Sequence, residues 1–125
     1  MLPVGAGSGR DTRREAPRAS VPVRVHYRFD PRADFLAEAA VDVSVSGVFV
    51  RFRGDPRVGS MVHLRLELPD GRPTVEGFGR VARFGICADG CPGIAIQFVS
   101  LEERATGLLE ELVAANLDAG DRGRA

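Results

Sequence analysis

From Val21 to Arg28 apolar and polar residues alternate, with Val21, Val23, Val25 and Tyr27 set against Pro22, Arg24, His26 and Arg28. A period of two marks a strand with one buried face. Residues 30–34, Asp-Pro-Arg-Ala-Asp, read as a turn. A second strand begins near Leu36, its Ala37, Ala39, Val41 and Val43 expected inward and its Glu38 and Asp42 outward. Ser44 to Gly47 interrupts the pattern, and Val48, Val50 and Phe52 resume it opposite Phe49, Arg51 and Arg53. The clearest strand is Met61 to Leu68, with Val62, Leu64, Leu66 and Leu68 inward. Residues 69–73, Pro-Asp-Gly-Arg-Pro, close a hairpin. Val75 to Phe84 follows as a strand whose faces are blurred by Gly77 and Gly79, residues that mark a bulge or bend. Ile94, Ile96 and Phe98 give a last short strand. The period then lengthens: Leu101, Ala105, Leu108, Leu109 and Leu112 recur at helical spacing. Ser100 and Glu103 read as a capping box at its start, and the helix is expected to fade near Asn116.

Six antiparallel strands and one amphipathic helix predict a mainly β fold, a small barrel with the helix packed against it. The expected organisation is a flexible arm over 1–12, one domain over 13–117 and a polar tail over 118–125. At 125 residues the chain holds one modest core. No apolar run reaches the ~18–20 residues that span a bilayer, and the N-terminus lacks the apolar stretch of a secretory signal. A cytoplasmic protein with no membrane insertion is the expectation. Formal net charge is zero, which weighs against nucleic acid as a partner. Aromatic residues, at 6%, are too few for a base-stacking platform on single strands. The chain has no lysine, so all 17 basic residues are arginine. GC-rich codon usage accounts for that bias, yet each arginine brings a planar fork of donors that lysine lacks.

Catalytic signatures are missing. His26 and His63 fall on outer strand faces without a Ser or Cys nucleophile pattern, and no phosphate loop or zinc-protease motif occurs. The chain reads as a binder, with neither metal nor cofactor. Cys87 and Cys91 lack the four-ligand spacing of a structural zinc site and are assigned no role. Two polar features remain. Arg14-Glu15-Ala16-Pro17-Arg18 fits Arg-x-x-x-Arg, but the chain holds five pairs at that spacing, where about two arise from this composition by chance. Asp42-Val43-Ser44-Val45-Ser46-Gly47 fits [Asp/Asn]-x-Ser-x-x-Gly. Each alone is weak. Together, an arginine pair before the first strand and this turn after the second are more specific.

That arrangement resembles the PilZ domain family, over most of the chain from about Arg13 to the C-terminal helix. Arg14 and Arg18 match the family's arginine motif, Asp42, Ser44 and Gly47 its second motif, and Gly93 to Phe98 its last strand. The resemblance implies a six-stranded antiparallel barrel and cyclic diguanylate (cyclic di-GMP) as ligand. Arginine can meet guanine O6 and N7 with two hydrogen bonds, stack on the purine and pair with phosphate. Asp42 can accept from guanine N1–H and N2–H. Ser44 is expected to donate to the ligand, and Gly47 to permit close backbone approach or a positive φ. Arg13 is a candidate to stack on a second ligand molecule. Ligand binding would order the arm and present a surface to an unidentified effector protein, the chain itself being a monomer or weak homodimer. The alternative is an adaptor of the same fold that works through protein contacts such as Phe49, without the nucleotide.

Overall fold

The computed structural model describes the backbone of residues 19–55 and 57–124, and side chains as far as residue 116. Its strands are β1 (Arg24–Arg28), β2 (Leu36–Val43), β3 (Gly47–Arg51), β4 (Met61–Glu67), β5 (Val75–Ile86) and β6 (Pro92–Leu101), followed by α1 (Ala105–Arg124). All neighbours are antiparallel, in the order β1-β2-β3-β6-β5-β4, and β4 pairs back onto β1 to close the barrel. The alternation that predicts the first strand holds from Ala19, because Ala19, Val21, Val23, Val25 and Tyr27 all turn inward. Regular pairing starts only at Arg24. Pro22, which has no amide hydrogen, interrupts the lead-in.

One continuous core fills the barrel. Val25, Val48, Val50, Leu64, Leu66, Ile94 and Ile96 are buried in it, and Ala105, Leu109, Leu112 and Val113 of α1 join the same cluster. The β4–β5 hairpin turns on Asp70 and Gly71, both at positive φ (64° and 75°). They are the two central residues of a tight turn within the loop, closed by the Arg72 amide donating to the Pro69 carbonyl at 3.3 Å. The two histidines sit outside and meet cross-strand carboxylates, His26 with Glu67 at 2.9 Å and His63 with Glu76 at 2.7 Å. The His63 bond holds the Glu76 carboxyl below its ordinary value, with Arg65 adding to the effect. No helix among the described residues is long and apolar enough to cross a membrane.

Three expectations are corrected. In β2 the register shifts between Ala40 and Asp42. This bulge places Ala40 against the core, while Val41 joins an outer cluster and Ala37 and Ala39 are exposed. One extra residue reverses the parity of everything before it, so a strict period of two misassigns the first half of the strand. The helix does not open on a Ser100 cap. Ser100 pairs with Phe78 as part of β6, which runs to Leu101, and Glu102 then bonds through its amide to the Glu76 carbonyl at 3.0 Å. The β5–β6 ladder claims these residues because Gly77 lets the strands close up; a Cβ there would lie 2.1 Å from the Ser100 carbonyl oxygen. At the other end α1 continues to Arg124, through residues expected to form a tail. Asn116 does not end it, since its Nδ2 donates to the Leu112 carbonyl one turn back.

Candidate functional site

The β2–β3 connection is held together by one hydroxyl. Ser44 is fully buried, and its Oγ accepts from the amides of Ser46 (3.1 Å) and Gly47 (3.2 Å). Its own amide donates to the Gly47 carbonyl at 2.9 Å, and the Ser46 hydroxyl lies 3.0 Å from Ser44 Oγ. Serine serves here because a short hydroxyl can replace the missing backbone partners of a tight turn. The sequence suggests a direct donor to a ligand, whereas the geometry makes Ser44 the organiser of the turn. Ser44→Ala leaves the buried Gly47 amide and the part-buried Ser46 amide without this acceptor and is expected to lower stability by ~1–3 kcal/mol. Chemical denaturation of the purified variant measures it.

Gly47 opens β3 with its backbone against β6. A Cβ at this position would lie 2.4 Å from the Ile96 carbonyl oxygen. Of the two reasons for glycine that the sequence leaves open, the structure selects close approach, since Gly47 is not among the glycines at positive φ.

Asp42 is half-buried on the outer face at the end of β2. Cross-strand pairing continues from it through three more strands: Asp42 faces Phe49, Phe49 faces Ala95, and Ala95 faces Arg83. The Arg83 guanidinium sits 5.9 Å from the centre of the Phe49 ring. Two adjoining depressions flank this row. One, of about 210 Å³, is lined by Asp42, Phe49, Arg83, Gly85 and Ile86. The other, of about 660 Å³, is lined by Ser46, Gly47, Ala82, Arg83, Ala95 and Gln97, a size in the range of small-molecule sites. Arg83 is common to both, and no carboxylate among the described residues forms an ion pair with it.

Phe49 itself is buried, contrary to the expectation of an exposed contact residue. It packs with Cys87 and Ala95 under Val41 and Cys91. Its ring lies on Gly85 and Gly93, where a Cβ would come within 3.0 and 2.8 Å of ring carbons. Both thiols are free and form part of this wall. Arg83 escapes sequence reasoning because one arginine among 17 carries no motif; only the cross-strand register brings it to Asp42.

Arg13, Arg14 and Arg18 lie outside the described residues. What can be located is the chain that follows them. Ala19 bonds through both its backbone groups to Val43, amide to carbonyl at 2.9 Å in each direction. The residue after Arg18 is thereby fixed beside the residue after Asp42. Ser20 adds a bond from its Oγ to the Val41 carbonyl at 3.2 Å.

Comparison with solved structures finds the same fold in several proteins. The inhibitor of motility of Bacillus subtilis (MotI/DgrA) superposes with a TM-score of 0.72 at 14% identity, covering 82% of this chain and 50% of that one. The PilZ domain of Escherichia coli YcgR with c-di-GMP gives 0.63 at 12% identity, covering 90% of this chain and 97% of that one. YcgR in complex with c-di-GMP gives 0.69 at 13% identity, over 90% of this chain and 49% of that one. This chain thus spans about half the length of two of these proteins. No curated protein matches the sequence. The family model of the PilZ domain matches residues 12–115. With the barrel, the helix and the buried-serine turn already in place, the conclusion is that this chain belongs to the PilZ domain family.

Proposed function

We propose that this chain is a cytoplasmic receptor for cyclic di-GMP and passes the signal to a separate effector protein. The observation that supports the reading is the double backbone bond between Ala19 and Val43, which sets the residue that follows the arginine motif beside the residue that follows Asp42. Two of the fold neighbours are structures with c-di-GMP, which supports the same ligand class here. In this reading Asp42 accepts from a guanine N1–H and N2–H. Arg14 and Arg18 meet the acceptor edge, the purine face or a phosphate. Ser44 and Gly47 act through the turn, keeping Asp42 and β3 in place. Arg83 supplies a further cation on the opposite side of the Phe49 ring, and Arg13 is a candidate for stacking on a second nucleotide. Drawing the arginines across the ligand builds a surface that an effector can read. The ordering entropy of that segment reduces net affinity.

Titration calorimetry with cyclic di-GMP tests this directly. Arg18→Ala and Asp42→Ala are each expected to weaken binding by ~1–3 kcal/mol while leaving the barrel folded. Arg24→Ala, on the outer face of β1, should leave affinity unaltered; a larger loss there than at Arg18 would move the site. Absence of heat and of thermal stabilisation at tens of micromolar nucleotide favours the adaptor that works without it.

A further inference from the structure

The β5–β6 hairpin ends on two cysteines that face each other. Ile86 pairs with Pro92, and one step nearer the tip the Cys87 amide donates to the Cys91 carbonyl at 2.7 Å. The turn between them is closed by the Gly90 amide, which donates to the Cys87 carbonyl at 2.8 Å, with Gly90 at a φ of 88°. Both side chains pack on the same outer cluster of Phe49 and Ala95. Facing residues of antiparallel strands have Cα atoms ~4.5–5.5 Å apart, inside the ~4.4–6.8 Å that a disulfide bridges. The two thiols differ in access. Cys87 is 5% exposed, whereas Cys91 is half-buried and lines an open depression of about 500 Å³ with Arg51 and Phe52. Arg51 bonds Asp89 at the tip; Asp89 chiefly, and both cysteines in addition, raise its guanidinium above the ordinary value. A positive charge therefore stands beside two thiols whose reacting form is the anion.

We propose that Cys87 and Cys91 are a reversible thiol–disulfide switch oxidised by small-molecule disulfides, with Cys91 the entering thiol and Cys87 the resolving one. The Cys91 thiolate attacks one sulfur of the small disulfide, whose S–S bond breaks and releases a first thiolate. Cys87, its proton lost to solvent, then attacks the Cys91 sulfur and expels the second. In balance, the two protein thiols give up two protons and two electrons, and the small disulfide takes them up as two thiols. The bridge joins residues only four apart. A ring that short gains least from constraining the unfolded chain, which suits exchange better than permanent bracing. In a reducing compartment such a pair rests as two thiols and responds to a rise in oxidant. Phe49, on which both sulfurs pack, also lines the Asp42 depression, so oxidation ties together one wall of it.

The test is mass spectrometry of the full reduced chain after exposure, without nucleotide, to millimolar glutathione disulfide and an acid quench. The parent should lose two hydrogens, keep no glutathione and stay at the 13.4 kDa of one chain, and dithiothreitol should reverse the change. Cys87→Ala should hold one glutathione, on Cys91. Cys91→Ala should react at least about tenfold more slowly, since its remaining thiol is buried. Melting curves show whether each variant is folded, and the parent result stands without the variants. A parent that keeps both thiols, retains glutathione or links two chains overturns the proposal, as does a Cys91→Ala variant that reacts as fast as Cys87→Ala. None of these outcomes bears on cyclic di-GMP, so the two readings stand or fall separately.

Discussion

Gly47→Ala is expected to cost the barrel about 3 kcal/mol, the upper part of the range for forcing extra atoms into a packed interior. The added Cβ would meet the Ile96 carbonyl oxygen at 2.4 Å and Gln97 Cα at 3.4 Å, and both obstacles are backbone. No side chain can rotate away. Relief requires β3 to move off β6, which strains the pairing of Gly47 with Gln97 and Val48 with Ile96. For a domain of this size such a loss lowers the melting temperature by roughly 10–15 °C. Gly107→Ala is the matched control. It lies in α1 with nothing within 4 Å of an added Cβ, and there alanine is worth up to about 1 kcal/mol of helix propensity. One substitution type should therefore shift the thermal midpoint down at one glycine and up at the other. If Gly47→Ala unfolds near the parent temperature, the close strand approach is wrong. The motif glycine would then need a purely ligand-based explanation.

Leu109→Ala is the second large effect, at ~2–5 kcal/mol. Leu109 is completely buried and, with Ala105, Leu112 and Val113, forms the face by which α1 joins the core. Truncation removes the transfer energy of the side chain and leaves a cavity between helix and barrel. The closed sheet limits how far the walls can collapse into it. Urea unfolding should show a lower midpoint. Hydrogen exchange should show lost protection concentrated in α1, with the β4–β5 ladder less affected. Uniform loss across the barrel would mean that the helix and the sheet unfold as one unit.

Much of this architecture is legible in the sequence where one physical rule acts alone. β4 is the case in point: every inward residue from Val62 to Leu68 is buried as alternation predicts. The reading fails where a second rule intervenes. The bulge at Ala40–Asp42 changes parity without leaving a turn residue as a marker. At Ser100 the local capping signal loses to a long-range ladder that depends on Gly77, far away in sequence. The candidate site divides the same way. Asp42, Ser44 and Gly47 form a contiguous motif and can be recognised, but their division of labour is decided by burial. Arg83 comes to the site through cross-strand register, which no linear pattern carries.

Closure of the sheet also decides how this protein can speak to others. With β4 bonded back to β1, each of the six described strands has a neighbour on both sides, so none lies at a sheet edge for an incoming peptide. Recognition by strand addition, common among proteins with open sheets, is therefore denied to it. Whatever reads this barrel must do so through side chains and loops, so specificity can be rewritten by surface substitution while the ladder stays intact. The same closure guards against templated misassembly: two barrels meeting at high concentration can dissociate again without having traded strands.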